Sequence, residues 1–237
     1  MNIELPDGSR PLTPQLTLEK KPEHIHLAFA STHRVISSAV LNGGLLEARH
    51  ILNCRVPKVA EFDEDPAHSL QKYCSQQHWS GTCVGLMTAA SMNSLRLRHE
   101  TIQGVDIIVM VTSGLSNARR IGDRAEYRDI LSAATEIGTI NIIVVCSASL
   151  TDAALVEALQ MVTEAKTAAL LALDIPSPIS GNPVTGTGTD AVAIASGTGS
   201  GTIRYCGKHV RFGEELGKMV MAAVTDSVQW DVSRGKV

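Results

Sequence analysis

Lys166 lies within Thr151 to Asp174, the stretch of this sequence with the clearest helical pattern. At about 100° per residue, Leu155, Leu159, Val162, Ala169 and Leu173 share one helical face, and Lys166 falls near its middle. An ammonium among apolar side chains costs on the order of several kcal/mol unless it is paired or put to use, and a desolvated lysine is a candidate for proton transfer. The plain alternative is that its methylenes carry the charge round to water. Thr163 precedes it at i, i+3, a hydroxyl beside an amine as in the Ser-x-x-Lys sites of acyl-transferring enzymes. Those sites place the hydroxyl at a helix N-terminus, whereas Thr163 falls in mid-helix. Glu164 is a carboxylate able to act as base toward water, although the helical wheel turns it away from Lys166.

A second group is Thr185-Gly-Thr-Gly-Thr-Asp190. Gly186 and Gly188 allow backbone N–H groups to approach a ligand, and Thr185, Thr187 and Thr189 carry hydroxyls at period two, on one side of an extended segment. Asp190 opens an apolar run and can orient a lysine or accept a proton. The pattern is not a dinucleotide fingerprint, which requires G-x-G-x-x-G ahead of a helix, and its plain reading is a tight turn. H-E-x-x-H and G-x-S-x-G are absent. His24 and His26 alternate onto one strand face as a two-ligand metal pair with no evident third member, so no metal site is assigned.

The elements that position these groups read as one α/β or α+β domain, a mixed and largely buried sheet covered by helices. Residues 1–23 read as an extended, loosely held arm and residues 24–237 as the single domain. Strands are expected over His24 to Ala30, Arg34 to Leu41 and Leu45 to Val56, the last two joined by Asn42-Gly43-Gly44, and a short helix over Ala67 to His78. Gly81 to Leu97 leans toward helix from Gly85 onward. Val105 to Thr112 and Ile140 to Ser147 are nearly continuous β-branched runs, as expected of strands covered on both faces. Ligands of α/β sheets collect at strand ends, which nominates Thr112, Ser113, Asn117 and Arg119 as binding residues. Ser38 and Asn42 of the early hairpin are further candidates, or plain turn chemistry. Arg124 to Gly138 reads as helical or irregular and Phe62 to Pro66 as an acidic loop. A strand over Ala191 to Ser196, another near Thr202 to Cys206 and a helix from about Glu214 to Trp230 complete the chain.

Composition sets the outer limits. The 237 residues are 44% hydrophobic and 19% charged, enough apolar mass for a full core. Aromatics are only 3%, the net charge is −3 and the pI is near 6.2, which disfavours base-stacking and phosphate-binding surfaces, so no nucleic-acid partner is expected. Five cysteines without a Cys-x-x-Cys pair argue for a reducing compartment. Neither a secretory h-region nor a run of about 18 apolar residues is present, so the expected setting is cytoplasmic, without a membrane.

Taken together, Arg34-Val-Ile-Ser-Ser-Ala-Val-Leu-Asn-Gly-Gly44, Gly85-Leu-Met-Thr-Ala-Ala90, Thr112-Ser-Gly-Leu-Ser-Asn-Ala-Arg119, Thr163-Glu-Ala-Lys-Thr-Ala-Ala169 and Thr185-Gly-Thr-Gly-Thr-Asp190 resemble, in order and spacing, the adenosylcobinamide amidohydrolases of corrinoid salvage. The likeness covers about residues 30–228 and leaves the arm outside; Val184 departs from it, where a smaller residue is expected. The resemblance implies hydrolysis of the aminopropanol amide of adenosylcobinamide to adenosylcobyric acid, within cobalamin (vitamin B12) biosynthesis. It also implies a small-molecule corrinoid as partner, with a homo-oligomer left open, and no cofactor of the protein's own, since cobalt arrives with the substrate. Under it, Lys166, Glu164, Asp190 and Thr163 become catalytic candidates. Ser38, Asn42, Thr112, Ser113, Asn117, Arg119, Thr185, Gly186, Thr187, Gly188 and Thr189 become substrate-binding ones. A corrinoid- or tetrapyrrole-binding protein without hydrolysis, or a hydrolase of another small amide on the same scaffold, are the alternatives.

Overall fold

A computed structural model describes residues 5–57, 65–125 and 139–234. In chain order the strands are β1 (Gly8–Thr13), β2 (Leu16–Lys20), β3 (His24–Ser37), β4 (Gly44–Arg55), β5 (Cys83–Thr88), β6 (Arg96–Ile102) and β7 (Val105–Ser113). They continue with β8 (Ala118–Arg119), β9 (Ile140–Cys146), β10 (Ala148–Leu150), β11 (Gly186–Thr187), β12 (Ala191–Ser196) and β13 (Gly199–Ile203). The α-helices are α1 (Pro66–Gln76), α2 (Asp152–Leu173) and α3 (Arg211–Val232). Among the described residues none is long and apolar enough to cross a membrane.

Nine of the strands make one mixed sheet, and β3 is its branch point. Along one edge β3 pairs with β4 over most of its length. Along the other, β2 pairs with Ile25–Phe29 and β12 with Arg34–Ser37, and a register shift against β4 between Ala28 and His33 marks the change. From β12 the sheet continues through β9 (parallel) to β7 and β6 (both antiparallel). The sheet curls until its far strands meet: Asn53 of β4 donates to Thr112 of β7 at 2.8 Å, and Asn141 of β9 donates to Asn53 at 2.8 Å and to the Met87 carbonyl of β5 at 2.9 Å.

The alternation along β7 and β9 shows why both read as buried runs. Ile107, Val109, Val111, Ile142, Val144 and Cys146 pack under α2 and α3, while Ile108, Met110, Ile143 and Val145 fill the inside of the curl. Each such aliphatic side chain contributes about 1.5–3 kcal/mol when fully buried. Gln103 and Gly104, both at positive φ, close the tight turn between β6 and β7.

Three expectations change. The helix expected from Gly85 is strand β5, in which Val84 and Leu86 face the curl while Cys83 and Met87 face α1. A Cβ on Gly85 would lie 3.0 Å from Leu41 and Leu70, so this glycine allows close packing of a strand. The strands expected at His24 to Ala30 and Arg34 to Leu41 are one strand, β3. Residues 8–20, read as a loose arm, build β1 and β2, with Leu16 and Leu18 buried in the core. The acidic loop expected over residues 62–66 and the stretch 124–138 lie largely outside the described residues.

Candidate active site

Helix α2 begins where Thr151 accepts a hydrogen bond from the Ala154 N–H at 3.2 Å, and its buried stripe runs through Leu155, Ala158, Val162 and Ala165. Lys166 belongs to that stripe, 9% exposed. It does not snorkel to water: its Nζ donates to Asp190 Oδ2 at the head of β12. Three further groups hold the carboxylate. The Ile140 N–H reaches Oδ1 at 3.0 Å, the Thr187 N–H reaches Oδ2 at 3.1 Å, and Thr187 Oγ1 donates to Oδ1 at 2.5 Å. Such a well-coordinated carboxylate is an anchor that offsets the cost of burying the ammonium.

The pair lies on the wall of a cleft of about 630 Å³, within the range of small-molecule sites. β8 and the turn before it also line the cleft, held to the glycine loop by Gly188 N–H to the Asn117 carbonyl at 3.2 Å and Thr185 N–H to the Arg119 carbonyl at 3.0 Å. The side chain of Asn117 is buried, and its Oδ1 has no hydrogen-bond partner among the described residues.

The two glycines have one purpose in this geometry. Neither Gly186 nor Gly188 is at positive φ, so neither is required by the backbone. A Cβ on Gly186 would collide with the Asp190 carboxylate and sit 2.9 Å from Lys166 Nζ; one on Gly188 would sit 3.1 Å from Asn117 Nδ2. The alternate glycines therefore leave room for two donors, the Lys166 ammonium and the Asn117 side-chain amide, to lie against the loop where it lines the cleft. Lining cations, Arg119, Arg120, Arg124 and Lys166, outnumber the carboxylates Asp123 and Asp190, which suits a developing oxyanion or a carboxylate.

The structure brings together Asn117, Arg119, Thr163, Lys166, Thr185, Gly186, Thr187, Gly188, Thr189 and Asp190 around this cleft. Thr163 Oγ1 donates to the Leu159 carbonyl at 2.9 Å, within its own helix. Glu164 does not line the cleft; it is exposed and paired with Lys208. Four other candidates lie elsewhere in structural bonds. Ser38 accepts from the Val192 N–H at 3.1 Å, and Asn42 donates to the Cys83 carbonyl at 2.8 Å. Thr112 is tied to Asn53, and Ser113 to Ser227 at 2.7 Å. Sequence reasoning missed Thr139, whose hydroxyl meets that of Thr189 at 2.8 Å, and Thr167, which lines the cleft. The available signal for Thr139 was its place immediately before the buried run of β9.

The histidine pair belongs to a different cluster. His50 Nε2 lies 2.9 Å from the Ser80 carbonyl and must donate, so its Nδ1 accepts from His26 Nε2 at 3.0 Å. His26 stacks on Trp79 with centroids 3.6 Å apart, and its burial, with His50 and His24 nearby, pushes its pKa down to about 3. Among the described residues, no group of three or more His, Cys, Asp or Glu is arranged to hold a metal.

Comparison of the sequence with known proteins finds relatives over most of its length. The sequence profile of the CbiZ family, adenosylcobinamide amidohydrolase, matches residues 10–235, and so takes in most of β1 and all of β2. An uncharacterized protein of Methanocaldococcus jannaschii, MJ1613, is 36% identical over 223 residues, covering 85% of this chain and 84% of that protein. A protein of Methanosarcina mazei named adenosylcobinamide amidohydrolase is 31% identical over 196 residues, covering 79% of this chain and 86% of that protein. The solved PH0078 protein of Pyrococcus horikoshii OT3 superposes over 97% of this chain and 82% of its own with a TM-score of 0.39 at 11% identity, too slight a likeness to bear on the fold. On the extent of the profile match, this chain belongs to the adenosylcobinamide amidohydrolase family.

Proposed function

We propose that the protein hydrolyses the amide joining aminopropanol to the corrin side chain of adenosylcobinamide, releasing adenosylcobyric acid for corrinoid salvage. The observation that carries this reading is the pair of donors on the cleft wall, Lys166, anchored by Asp190, and Asn117, each packed where a glycine of the loop leaves room for it. Amide hydrolysis needs two such groups: a donor where the carbonyl oxygen gains negative charge and an acid where the amine departs.

In this reading the scissile amide enters the cleft with its carbonyl oxygen toward Asn117 Nδ2. The backbone N–H groups of Thr187 and Gly188 do not serve that oxygen, because they are already bonded to Asp190 and to the Asn117 carbonyl. Lys166 gives a proton to the departing aminopropanol nitrogen. Asp190 fixes the ammonium in place. The cationic lining favours the oxyanion and then the carboxylate product. No resident metal or cofactor is invoked; cobalt enters as part of the substrate. The corrin, broad and polar at its edge, would lie across the mouth of the cleft.

The test is incubation of the purified protein with adenosylcobinamide and mass-spectrometric detection of aminopropanol and adenosylcobyric acid. Stoichiometric release over many turnovers is expected. Corrinoid binding without release would make the protein a carrier, and neither binding nor release would point to another amide.

A further inference from the structure

We propose that Thr187 is the nucleophile of this site and that turnover passes through an ester on its Oγ1, an assignment that rests on the amidohydrolase reading above. Several threonine hydroxyls line the cleft, and their bonds differ in kind. Thr163 points its proton into the helix, at the Leu159 carbonyl. Thr167 Oγ1 donates to the Thr185 carbonyl at 3.4 Å, Thr185 Oγ1 accepts from the Ile121 N–H at 2.7 Å, and Thr189 Oγ1 is paired with Thr139. Thr187 Oγ1 instead donates to a carboxylate oxygen, Asp190 Oδ1, at 2.5 Å, and that carboxylate is itself bonded to Lys166. A hydroxyl aimed at a base, with the base oriented by a third group, is the geometry of an activated nucleophile.

The surroundings fit the assignment. Thr187 has a glycine on either side, so no adjacent side chain shields its oxygen, and the Thr189 N–H approaches that oxygen at 3.4 Å. Asn117 Nδ2, the donor for the carbonyl oxygen, lies against Gly188, the next residue along. Nucleophile, base, acid and oxyanion donor thus come from one loop and the two elements it touches.

The chemistry balances without any co-reactant but water. As the Thr187 Oγ1–carbon bond forms, its proton passes to Asp190 Oδ1 and the carbonyl π electrons move to oxygen, opposite Asn117 Nδ2. The intermediate collapses by breaking the C–N bond. The nitrogen takes a proton from Lys166, and Lys166 recovers one from Asp190. Aminopropanol leaves as a neutral amine, Thr187 carries the corrinoid acyl group as an ester, and the ammonium–carboxylate pair is restored. Water then attacks the ester and gives its proton to Asp190. The alkoxide of Thr187 is reprotonated as the acid departs.

The experiment combines acid quenching of the wild-type protein during turnover of adenosylcobinamide, peptide mass spectrometry, and kinetics of Thr187→Ser and Thr187→Ala. A mass increase equal to the corrinoid acyl group on the peptide containing Thr187 is expected. Hydroxylamine should divert part of the product to the hydroxamate. Thr187→Ser should retain turnover within about tenfold and still show the adduct, while Thr187→Ala should lose about a thousandfold or more with cobinamide binding intact. A purely structural hydroxyl would give neither adduct nor hydroxamate. Aminopropanol release by the wild type with no adduct, or with Thr187→Ala within tenfold of wild type, overturns the nucleophile and leaves the amidohydrolase reading standing. Absence of release by the wild type overturns both.

Discussion

Gly186 and Lys166 meet face to face: the space a methyl group would occupy on the glycine is the space through which the ammonium reaches Asp190. The residues come from different elements, β11 and α2, and each makes sense only with the other. A lysine on the buried stripe of α2 needs a partner, and the partner is reachable because the intervening strand carries no side chain at that point.

Substitution at these two glycines should separate the two donors functionally. Gly186→Ala forces the ion pair apart and is expected to lower kcat by about a hundredfold or more, because a misplacement of about 1 Å at a reacting group costs that much. Gly188→Ala needs only a few tenths of an ångström of adjustment at Asn117, so a loss of about tenfold is expected. Neither residue is at positive φ, so Gly188→Ala should keep the wild-type melting temperature within a few degrees, whereas Gly186→Ala, which separates a buried ion pair, should lower it clearly. Steady-state kinetics beside thermal melts checks both halves, and equal activity in the two variants would count against the geometry.

Lys166→Met and Asp190→Asn should both abolish turnover, by about a hundredfold or more, yet differ in stability. Removing the lysine leaves Asp190 still bonded to Thr187 and the Ile140 N–H. Removing the carboxylate charge leaves a buried ammonium unpaired, at a cost of about 3–5 kcal/mol. Urea unfolding of the two variants should therefore rank Asp190→Asn as clearly the less stable.

Leu18→Ala tests whether the N-terminal strands belong to the core. Leu18 is fully buried, opposite Leu27 of β3. Truncation is expected to lower stability by about 2–5 kcal/mol in chemical denaturation. A loosely held arm would show a change near zero.

Acid should destabilise the fold through the histidine cluster. Burial holds His26 neutral down to about pH 3, against an ordinary value of 6.5, and burial lowers His24 and His50 in the same sense. Between those limits the unfolded chain binds a proton at His26 that the folded chain does not, so the stability present above pH 6.5 is lost as pH falls. The slope approaches about 1.4 kcal/mol per pH unit for His26 well below 6.5. Beside the cluster, burial is outweighed at Glu19 by its contacts with Lys21 and His24, which hold its carboxyl below the ordinary value, and its protonation acts in the same sense. Unfolding free energies measured from pH 7 to pH 5 should fall steadily, and His26→Asn should flatten the curve; an unchanged slope in the variant would refute the assignment.

The parts of this fold that were legible in the sequence are those governed by burial alone. β7 and β9 declare themselves because both faces are covered, and α2 because its period is regular. β6, with the sequence Arg-Leu-Arg-His-Glu-Thr-Ile, did not, since its outward residues are charged and its partner is on one side only. β5 hid behind small residues that suit a helix equally well. At the site, Lys166 and Asp190 could be singled out as anomalies of type and position. Their contact, and the reason for glycine at 186 and 188, depend on how far two elements approach each other, which periodicity does not encode. Ser38, Asn42, Thr112 and Ser113 show the converse: polar residues at strand ends look alike in sequence whether they meet a ligand or a neighbouring strand.

The branch at β3 limits how small a working version of this protein can be made. Every side chain assigned to the proposed reaction falls between Asn117 and Asp190, so that stretch with β12 looks like a self-sufficient catalytic unit. It is not one, because β12, which carries Asp190 at its head, is clamped on one side by residues near the other end of the chain, Arg34 to Ser37. A fragment without β3 would leave that strand with an open, apolar edge ready to pair with other copies of itself. Trimming this chain to its chemistry would expose that edge to self-association, and residues distant from the cleft are the condition for keeping Asp190 in register.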